Sequence, residues 1–521
     1  MLPAAERLAE IGFLIEENAY FVLHAPRQSG KTTTIQAYAD KINGEGKYYA
    51  LYCSLESAGV WTDPDEGLRK IGFQLIDSLR GSRIPPLAAA GAAACAGRPG
   101  PASSVPGAAL SAFSLPYDAS IPVKSILNSV CSGLDKDLVL FFDEADSLSD
   151  DLLTAFLLQL RLGYVARAAS PFPRAISLTG MRNIRDYKNK IRTDSETSGS
   201  SSPFNIIAEA LSLRDFSFAE MSALYRQHTE ASGQRFEDGA LEAAWKWSEG
   251  QPWIVNALAR EVIVKQLKKD FSVPVTQERI DTAAETIILR RDVHVDYLLA
   301  HLKTPRVRRV MDPVLTGGQL NRLSLLDDDL HFALDLGLIK EDSGTYRPSN
   351  AVYREAMPRA LSMSFQISLP PDLHCRWMEG EILDMSSLLT EFQAFWRDHI
   401  GENAEFAGYK EALPHIVLSA YLQKVVNGKA SVQREYQSGS YRVDFLVRYG
   451  GQAYPVELKT GRSQMSFGNS LDRLSKRMDI CGACEGWLAL FDHGPGEGRD
   501  KKLSWETYKI YEHQAIHVLG F

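Results

Sequence analysis

The stretch "FVLHAPRQSGKTTTIQAYADKI", residues 21–42, decides the fold of the N-terminal half. The run YFVLHA (20–25) is short and apolar, as a buried strand is. A Gly/Lys/Thr turn follows, and TTTIQAYADKI then reads as a helix. Inside it, APRQSGKTT (25–33) fits the phosphate-loop pattern, with Ala25 in the first glycine position, then Gly30, Lys31 and Thr32. A strand before and a helix after is the context that pattern requires. The backbone N–H groups of Gln28, Ser29, Gly30, Lys31 and Thr32, with the helix N-terminus, would cradle a β-phosphate. Lys31 would reach the β- and γ-phosphates, and the Thr32 hydroxyl would bind Mg²⁺; Thr33 completes the nucleotide-binding set. A chance turn before a helix would look the same, so a second element is needed.

That element is LVLFFDEAD, residues 138–146. Five apolar residues deliver Asp143 and Glu144 to a strand end. Asp143 would hold the Mg²⁺ shell through water, and Glu144 would polarise the attacking water. Either carboxylate alone is also a common helix cap. Both motifs in the right order make chance a poor account. Thr179, at the end of the next strand, is either a polar sensor of the γ-phosphate or a hydroxyl satisfied locally.

The chain has 521 residues, too many for one core, and its 45% hydrophobic and 23% charged residues are an ordinary globular mixture. A net charge of -8 gives no global attraction to nucleic acid, so any such contact needs a local basic face. Six irregularly spaced cysteines argue against a disulfide framework and for a reducing compartment, the cytoplasm. The N-terminus carries acids where a signal peptide has a basic end, and no stretch is apolar enough to span a membrane.

Further strands are expected at 47–55, 137–146 and 174–181, alternating with helices, which implies a mostly parallel α/β sheet over residues 1–192. Residues 82–115, rich in Ala, Gly, Pro and Ser, read as a floppy insertion unable to supply a core. Helical spacing begins at about 204 and marks a helical lid over 204–285. Residues 286–362 end in a helix followed by GLIKEDSGTYRPSN, a winged-helix pattern, and 363–385 read as a linker. The final block, 386–521, opens with helices and continues with strands at 431–437, 441–448 and 453–459, a helix, and a strand at 486–493.

Strand, GKT, DEAD, helical lid, GQPWIVNALA (250–259) and winged helix together resemble a prokaryotic ATPase family related to origin-recognition AAA+ proteins and STAND signalling ATPases. The resemblance covers roughly residues 5–362 and implies a P-loop NTPase (AAA+-like) parallel sheet with ATP and Mg²⁺ as cofactors. It also implies that Gly250-Gln251-Pro252 contacts the nucleotide through Pro252; a helix-breaking turn is the equal alternative. Arg182, Arg185 and Arg291 are equal candidates for an arginine finger.

The second constellation is YPVELKTG, residues 454–461. Glu457 and Lys459 lie two apart on a strand and so share a face. The preceding strand, YRVDFLV, presents Asp444, giving Asp444, Glu457 and Lys459 at the end of a hairpin. Asp444 and Glu457, with the Leu458 carbonyl, could ligate Mg²⁺, and Lys459 would orient the attacking water. The bland alternative is a surface Glu–Lys pair. A carboxylate flanked by Val456 and Leu458, however, needs a partner. The surroundings resemble the PD-(D/E)XK nuclease superfamily over residues 386–521, which implies that Asp444, Glu457 and Lys459 are catalytic and that Glu411 and Glu435 are candidate extra carboxylates, although Glu411 reads first as a helix-start acid complementing the dipole and Glu435 reads equally as solvent-facing. Where RecB-like members carry Gln and Tyr four apart, this chain has Arg473 and Arg477.

Cys481-Gly-Ala-Cys484 is a lone pair and reads as a turn rather than a zinc site, and Arg306, Arg308 and Arg309 form a basic cluster that reads first as a solvated face. The expectation is therefore an ATPase whose nucleotide state is coupled to a C-terminal α/β nuclease-like domain acting on nucleic acid, DNA being favoured, with no membrane partner and with homo-oligomerisation open. The rival is a nucleotide-controlled switch whose C-terminal domain binds without cutting.

Overall fold

Runs of consecutive apolar residues become the centre of a parallel sheet, whose strands are buried on both faces. The computed structural model describes residues 7, 10–96, 123–180, 203–290, 293–315, 328–368, 377–379, 382–399, 412–426, 431–438, 441–460, 464–491, 505–511 and 514–521. It divides into two compact units, Met1–Ile287 with His331–Ile339, and Ile288–Leu330 with Lys340–Phe521.

The first unit begins α1 (Glu10–Glu16), β1 (Tyr20–His24), α2 (Lys31–Glu45), β2 (Tyr49–Ser54), α3 (Pro64–Arg80), α4 (Pro85–Ala96), α5 (Val123–Gly133), β3 (Leu138–Asp143), α6 (Asp150–Ala166), β4 (Ala175–Gly180) and β5 (Ile207–Ser212). The five strands are all parallel, in the order β2-β3-β4-β1-β5. Every residue of β1, β3 and β4 is buried. Alternation along the strands sorts the core into two faces. Phe21, Leu23, Val139 and Phe141 meet Ile35, Tyr38 and Ile42 of α2. Val22, Leu140, Phe142 and Leu178 meet Leu75, Leu127 and Phe156 of α3, α5 and α6. Each such side chain contributes roughly 1.5–3 kcal/mol by leaving water. Asp143 has the parity of Val139 and Phe141, so it arrives on the α2 face, beside the loop that follows β1.

Two expectations are corrected here. Residues Ile207–Ser212, expected in the helical block, form the edge strand β5 beside β1, and regular helix resumes only at Phe218. IAEALS is made of good helix formers, but pairing with β1 overrides that weak preference. The first third of the Ala/Pro stretch is likewise not floppy. Alanine favours helix, and α4 buries Leu87 and Ala90 in the core. The remainder, 97–115, lies outside the described residues, as do Arg182, Arg185 and Arg291.

Helices α7 (Phe218–Ser232), α8 (Asp238–Ser248), α9 (Pro252–Arg260) and α10 (Gln277–Arg290) follow. A capping box between Ser217 and Glu220 starts α7. Beyond them come α11 (Val293–His301), α12 (Pro305–Leu315), α13 (Asp328–Asp335), β6 (Ile339–Asp342), β7 (Thr345–Pro348) and α14 (Ala351–Ser368). Ser343 and Gly344 both have positive φ, 53° and 82°, as the two-residue turn of a tight hairpin requires.

The second unit continues with β8 (Met378–Glu379), β9 (Ile382–Leu383), α15 (Met385–His399), α16 (Leu413–Val426), β10 (Ser431–Ser438), β11 (Tyr441–Tyr449), β12 (Gln452–Thr460), α17 (Gln464–Cys481), β13 (Glu485–Phe491), β14 (Trp505–Tyr511) and β15 (Gln514–Gly520). Its six-stranded sheet has the order β10-β11-β12-β13-β15-β14. The β10-β11-β12 segment is antiparallel, whereas β12, β13 and β15 run parallel, α17 making the crossover from β12 to β13. Leu474 and Met478 of α17 pack on Leu446, Leu488, Ile516 and Val518. Phe392 of α15 meets Tyr421 of α16 and Phe521. No helix of the described residues is long and apolar enough to cross a membrane.

Candidate functional sites

The loop between β1 and α2 takes its shape from two left-handed residues, Gln28 at φ 60° and Gly30 at φ 86°. Ala25 is buried in the sheet and its N–H donates to the Gly180 carbonyl at 3.2 Å. Lys31 opens α2 and is itself buried. Its Nζ donates to the carbonyls of Ala25 at 2.8 Å and Pro26 at 3.0 Å, folding the ammonium over the loop. Burial holds Lys31 below the usual lysine range, against the opposing pull of Glu144, Asp146 and Asp143. Ser29 is buried, and its Oγ finds no partner among the described residues. An unsatisfied hydroxyl in a glycine-containing loop at a helix N-terminus suits an incoming anion.

Asp143 is fully buried and accepts three hydrogen bonds. Thr32 Oγ1 donates to Oδ2 at 2.6 Å and the Tyr52 hydroxyl to Oδ2 at 3.2 Å, while the Glu144 N–H donates to Oδ1 at 3.0 Å. The first bond joins the start of α2 to the end of β3, across the intervening strand β4. Glu144 takes a left-handed conformation, φ 57°. Burial first, then the charge of Asp143, raises its carboxyl above the usual range. Thr179 is fully buried, with its Oγ1 3.5 Å from Ser177 Oγ. Thr33 lies in the first turn of α2.

Three residues around this loop escaped sequence reasoning. Tyr52 was findable, because alternation with Ala50 and Ser54 puts it on the Asp143 side of the sheet. His24 Nδ1 lies 3.4 Å from Asp335 Oδ1, and burial, then the Lys31 charge, hold it below the usual imidazole range. Arg7 gave no local signal. Its guanidinium donates to the carbonyls of Ser29, at 3.4 Å, and Arg214, and lies 4.8 Å from the centre of the Phe216 ring. The segment 331–339 also meets the loop at Gly337, where a Cβ would fall 2.5 Å from Pro26 Cγ.

The Gly250–Pro252 turn is built by its own neighbours. Phe216 N–H donates to the Gly250 carbonyl at 2.9 Å, and Gln251 Oε1 caps α9 by accepting from Ile254 N–H at 2.7 Å. Pro252 takes the first helical position of α9, where its missing N–H costs nothing.

In the second unit, Phe445 pairs with Val456 and Leu446 with Pro455, so Asp444 and Glu457 come next in register on one face. That face is the one covered by α17, since Leu446 and Leu488 pack there. Asp444 Oδ2 accepts from the Leu458 N–H at 2.8 Å. Glu457 is buried, 7% exposed, and its Oε2 accepts from Arg477 Nη1 of α17. Burial, then the Asp444 charge, raises the Glu457 carboxyl above its usual range, while Arg477 and Arg473 pull it down. Lys459 is half-buried two residues on, on the same face of β12. No group of three or more His, Cys, Asp or Glu poised for a metal occurs among the described residues. Glu411, and the side chain of Glu435 on β10, lie outside them.

The other singled-out residues have structural partners. Arg306 Nε and Arg309 Nε donate to Asp329 at 2.8 and 2.9 Å. Cys481 ends α17, Gly482 turns the chain at φ 69°, and both Cys481 and Cys484 are free thiols.

No protein-family model and no curated protein matches the chain. Among solved structures it is similar to the Walker-type ATPase PABY2304 of Pyrococcus abyssi, at 16% identity and TM-score 0.42 over 68% of this chain and 96% of that one. It is also similar to the RuvB Holliday junction branch migration motor of Thermotoga maritima (14% identity, TM-score 0.34, 67% and 91% covered). A third is the Orc1 protein of Aeropyrum pernix in complex with DNA (12%, 0.34, 71% and 94%). These likenesses are distant, and the residues described above carry the functional reading.

Proposed function

We propose that the first unit binds and hydrolyses ATP with Mg²⁺, and that its nucleotide state governs a metal-dependent, nuclease-like site in the second. The observation that carries the ATPase half is the Thr32–Asp143 hydrogen bond at 2.6 Å, beside a buried Lys31. It brings a loop hydroxyl and a strand-end carboxylate to one point, where Thr32 would bind a Mg²⁺ ion and Asp143 would hold its shell through water. Held there by Thr32 and Asp143, the ion would offset the negative charge of the phosphates. Lys31 would exchange its loop carbonyls for phosphate oxygens, the free Ser29 hydroxyl would meet the nucleotide, and Glu144 would orient the attacking water. Its raised proton affinity suits a group that accepts a proton during attack. Gln28, Gly30 and Thr33 would complete the cradle, Thr179 would sense the γ-phosphate, and Pro252 would contact the nucleotide from the lid.

For the second unit, the supporting observations are the buried Glu457, the Asp444 carboxylate beside it, and Lys459 on the same face. Two carboxylates fit a divalent ion of hard character, which would supply Lewis-acid activation of water and phosphodiester. Lys459 would position the water, and DNA is the proposed substrate. One observation favours the switch reading instead: the Glu457 carboxylate is ion-paired with Arg477.

The test is plasmid cleavage with Mg²⁺ or Mn²⁺ and ATP, measured beside ATP hydrolysis. Cleavage by the wild type, lost in Lys459→Ala and altered in Lys31→Ala, is the expected result. ATP hydrolysis lost in Lys31→Ala with no cleavage by any protein would leave only the switch. A wild type that binds no ATP would remove the first half.

A further inference from the structure

Arg477 approaches Glu457 from α17, with both side chains about nine-tenths buried, at 12% and 10% exposure. A guanidinium has five N–H donors, and a buried structural ion pair normally satisfies the rest of them. Here Arg477 Nε is buried without a partner among the described residues. Asp444 Oδ2 accepts from the N–H of Leu458, the residue after Glu457, one step beyond the Phe445–Val456 pair. The arrangement is two carboxylates and one incompletely satisfied cation, in a place that burial makes sensitive to every charge.

From this we infer that Arg477 is an internal counter-cation occupying the cation position of the Asp444–Glu457 pair, and that a divalent ion enters only by displacing it. The inference rests on the metal site proposed above. Charge counting favours it. Asp444 and Glu457 carry two negative charges when both are ionised, and of the cations around them Lys459 and Arg477 carry two positive ones, a sum of zero before the charge of Arg473 is added. A divalent ion added to that set would leave two uncompensated positive charges near buried groups, which is costly. Withdrawal of the guanidinium removes one of them and frees Glu457 Oε2 as a ligand. With Nε unpartnered among the described residues, withdrawal of the guanidinium breaks no bond at that atom. The device keeps the carboxylates compensated without metal and makes metal entry depend on movement at α17.

The test is Mn²⁺ binding to the nucleotide-free full chain, followed by calorimetric titration and by electron paramagnetic resonance of the free ion. The proteins are wild type, Arg477→Gln, Arg477→Lys, Glu457→Gln and the Arg477→Gln/Glu457→Gln double variant. Removing the rival cation should tighten Mn²⁺ binding by about tenfold or more in Arg477→Gln, and the double variant should lose that binding. Arg477→Lys, a point charge without the planar fork, should fall between wild type and Arg477→Gln. It carries the test if the glutamine variant does not fold. A purely structural arginine would lower stability and leave Mn²⁺ affinity unchanged. That result, with binding still lost in Glu457→Gln, overturns the inference while the metal site stands. Mn²⁺ binding indifferent to Glu457 in every background overturns both.

Discussion

Replacing Gly250 with alanine separates two roles for the turn at Gly250–Pro252, packing and nucleotide contact. Gly250 has φ 84°, a conformation that costs an L-residue roughly 1–2 kcal/mol. An alanine Cβ there would lie 2.0 Å from the Phe216 carbonyl oxygen and 3.1 Å from the Trp245 ring. The nearest atom is backbone, so no side-chain rotation relieves the clash. Relief requires the 216 segment or the turn to shift, which strains the packing by about 1–3 kcal/mol. The same shift breaks the Phe216 N–H···O=C Gly250 bond, a further ~1 kcal/mol. The sum is about 3–6 kcal/mol, confined to the first unit. With two units, calorimetry should show the first unit's transition move down and the other stay, since a single two-state midpoint is not defined here. Nucleotide affinity should fall only as far as folding does. A variant as stable as wild type within ~1 kcal/mol that nevertheless loses ATP binding would refute the packing account and make the turn a direct nucleotide contact.

Thr32→Val should destabilise the nucleotide-free protein by about 1–3 kcal/mol in thermal melts, because it leaves the fully buried Asp143 without its shortest donor, and Thr32→Ser should restore it. Glu220, ion-paired with Arg214, is held at about 2, below the ordinary carboxylate range, so its contribution is present above pH ~4.5 and lost as pH falls through about 2. Arg214 is half-exposed, so Glu220→Gln should cost only ~0.5 kcal/mol at neutral pH, with the difference from wild type gone near pH 2 by urea titration. Gly337→Val, at φ 71° with Pro26 Cγ 2.5 Å from the new Cβ, should destabilise the first unit by about 2–4 kcal/mol and weaken ATP binding measured by fluorescent-analogue titration.

The elements that sequence reasoning located are those whose signal is local. β1, the glycine turn and α2 are contiguous, and β3 announces Asp143 with five apolar residues in a row. Alternation then suffices to aim Asp143 at Thr32. β5 was missed because an edge strand, half-exposed and made of Ala, Glu and Leu, carries no periodic signature of its own. Its identity comes from β1, about 185 residues away in sequence. α4 was missed for the opposite reason: low complexity suggested disorder, yet alanine needs few apolar contacts to stay helical. In the second site, Asp444, Glu457 and Lys459 share a face by simple parity, so their common orientation was legible. That Arg477, rather than open solvent, would face Glu457 depended on how α17 lies across the sheet, which spacing alone does not fix.

The chain passes from one unit to the other three times, after Ile287, Leu330 and Ile339. No single cut can therefore liberate either half intact. A fragment ending at Ile287 would lack the nine-residue piece that supplies Asp335 to His24 and Gly337 to Pro26. Its exposed loop base would be a poor guide to the whole chain. Excising the second half alone would drag that piece along as an orphan. Threading of this kind ties anything that pulls on residues 331–339 mechanically to the mouth of the phosphate loop.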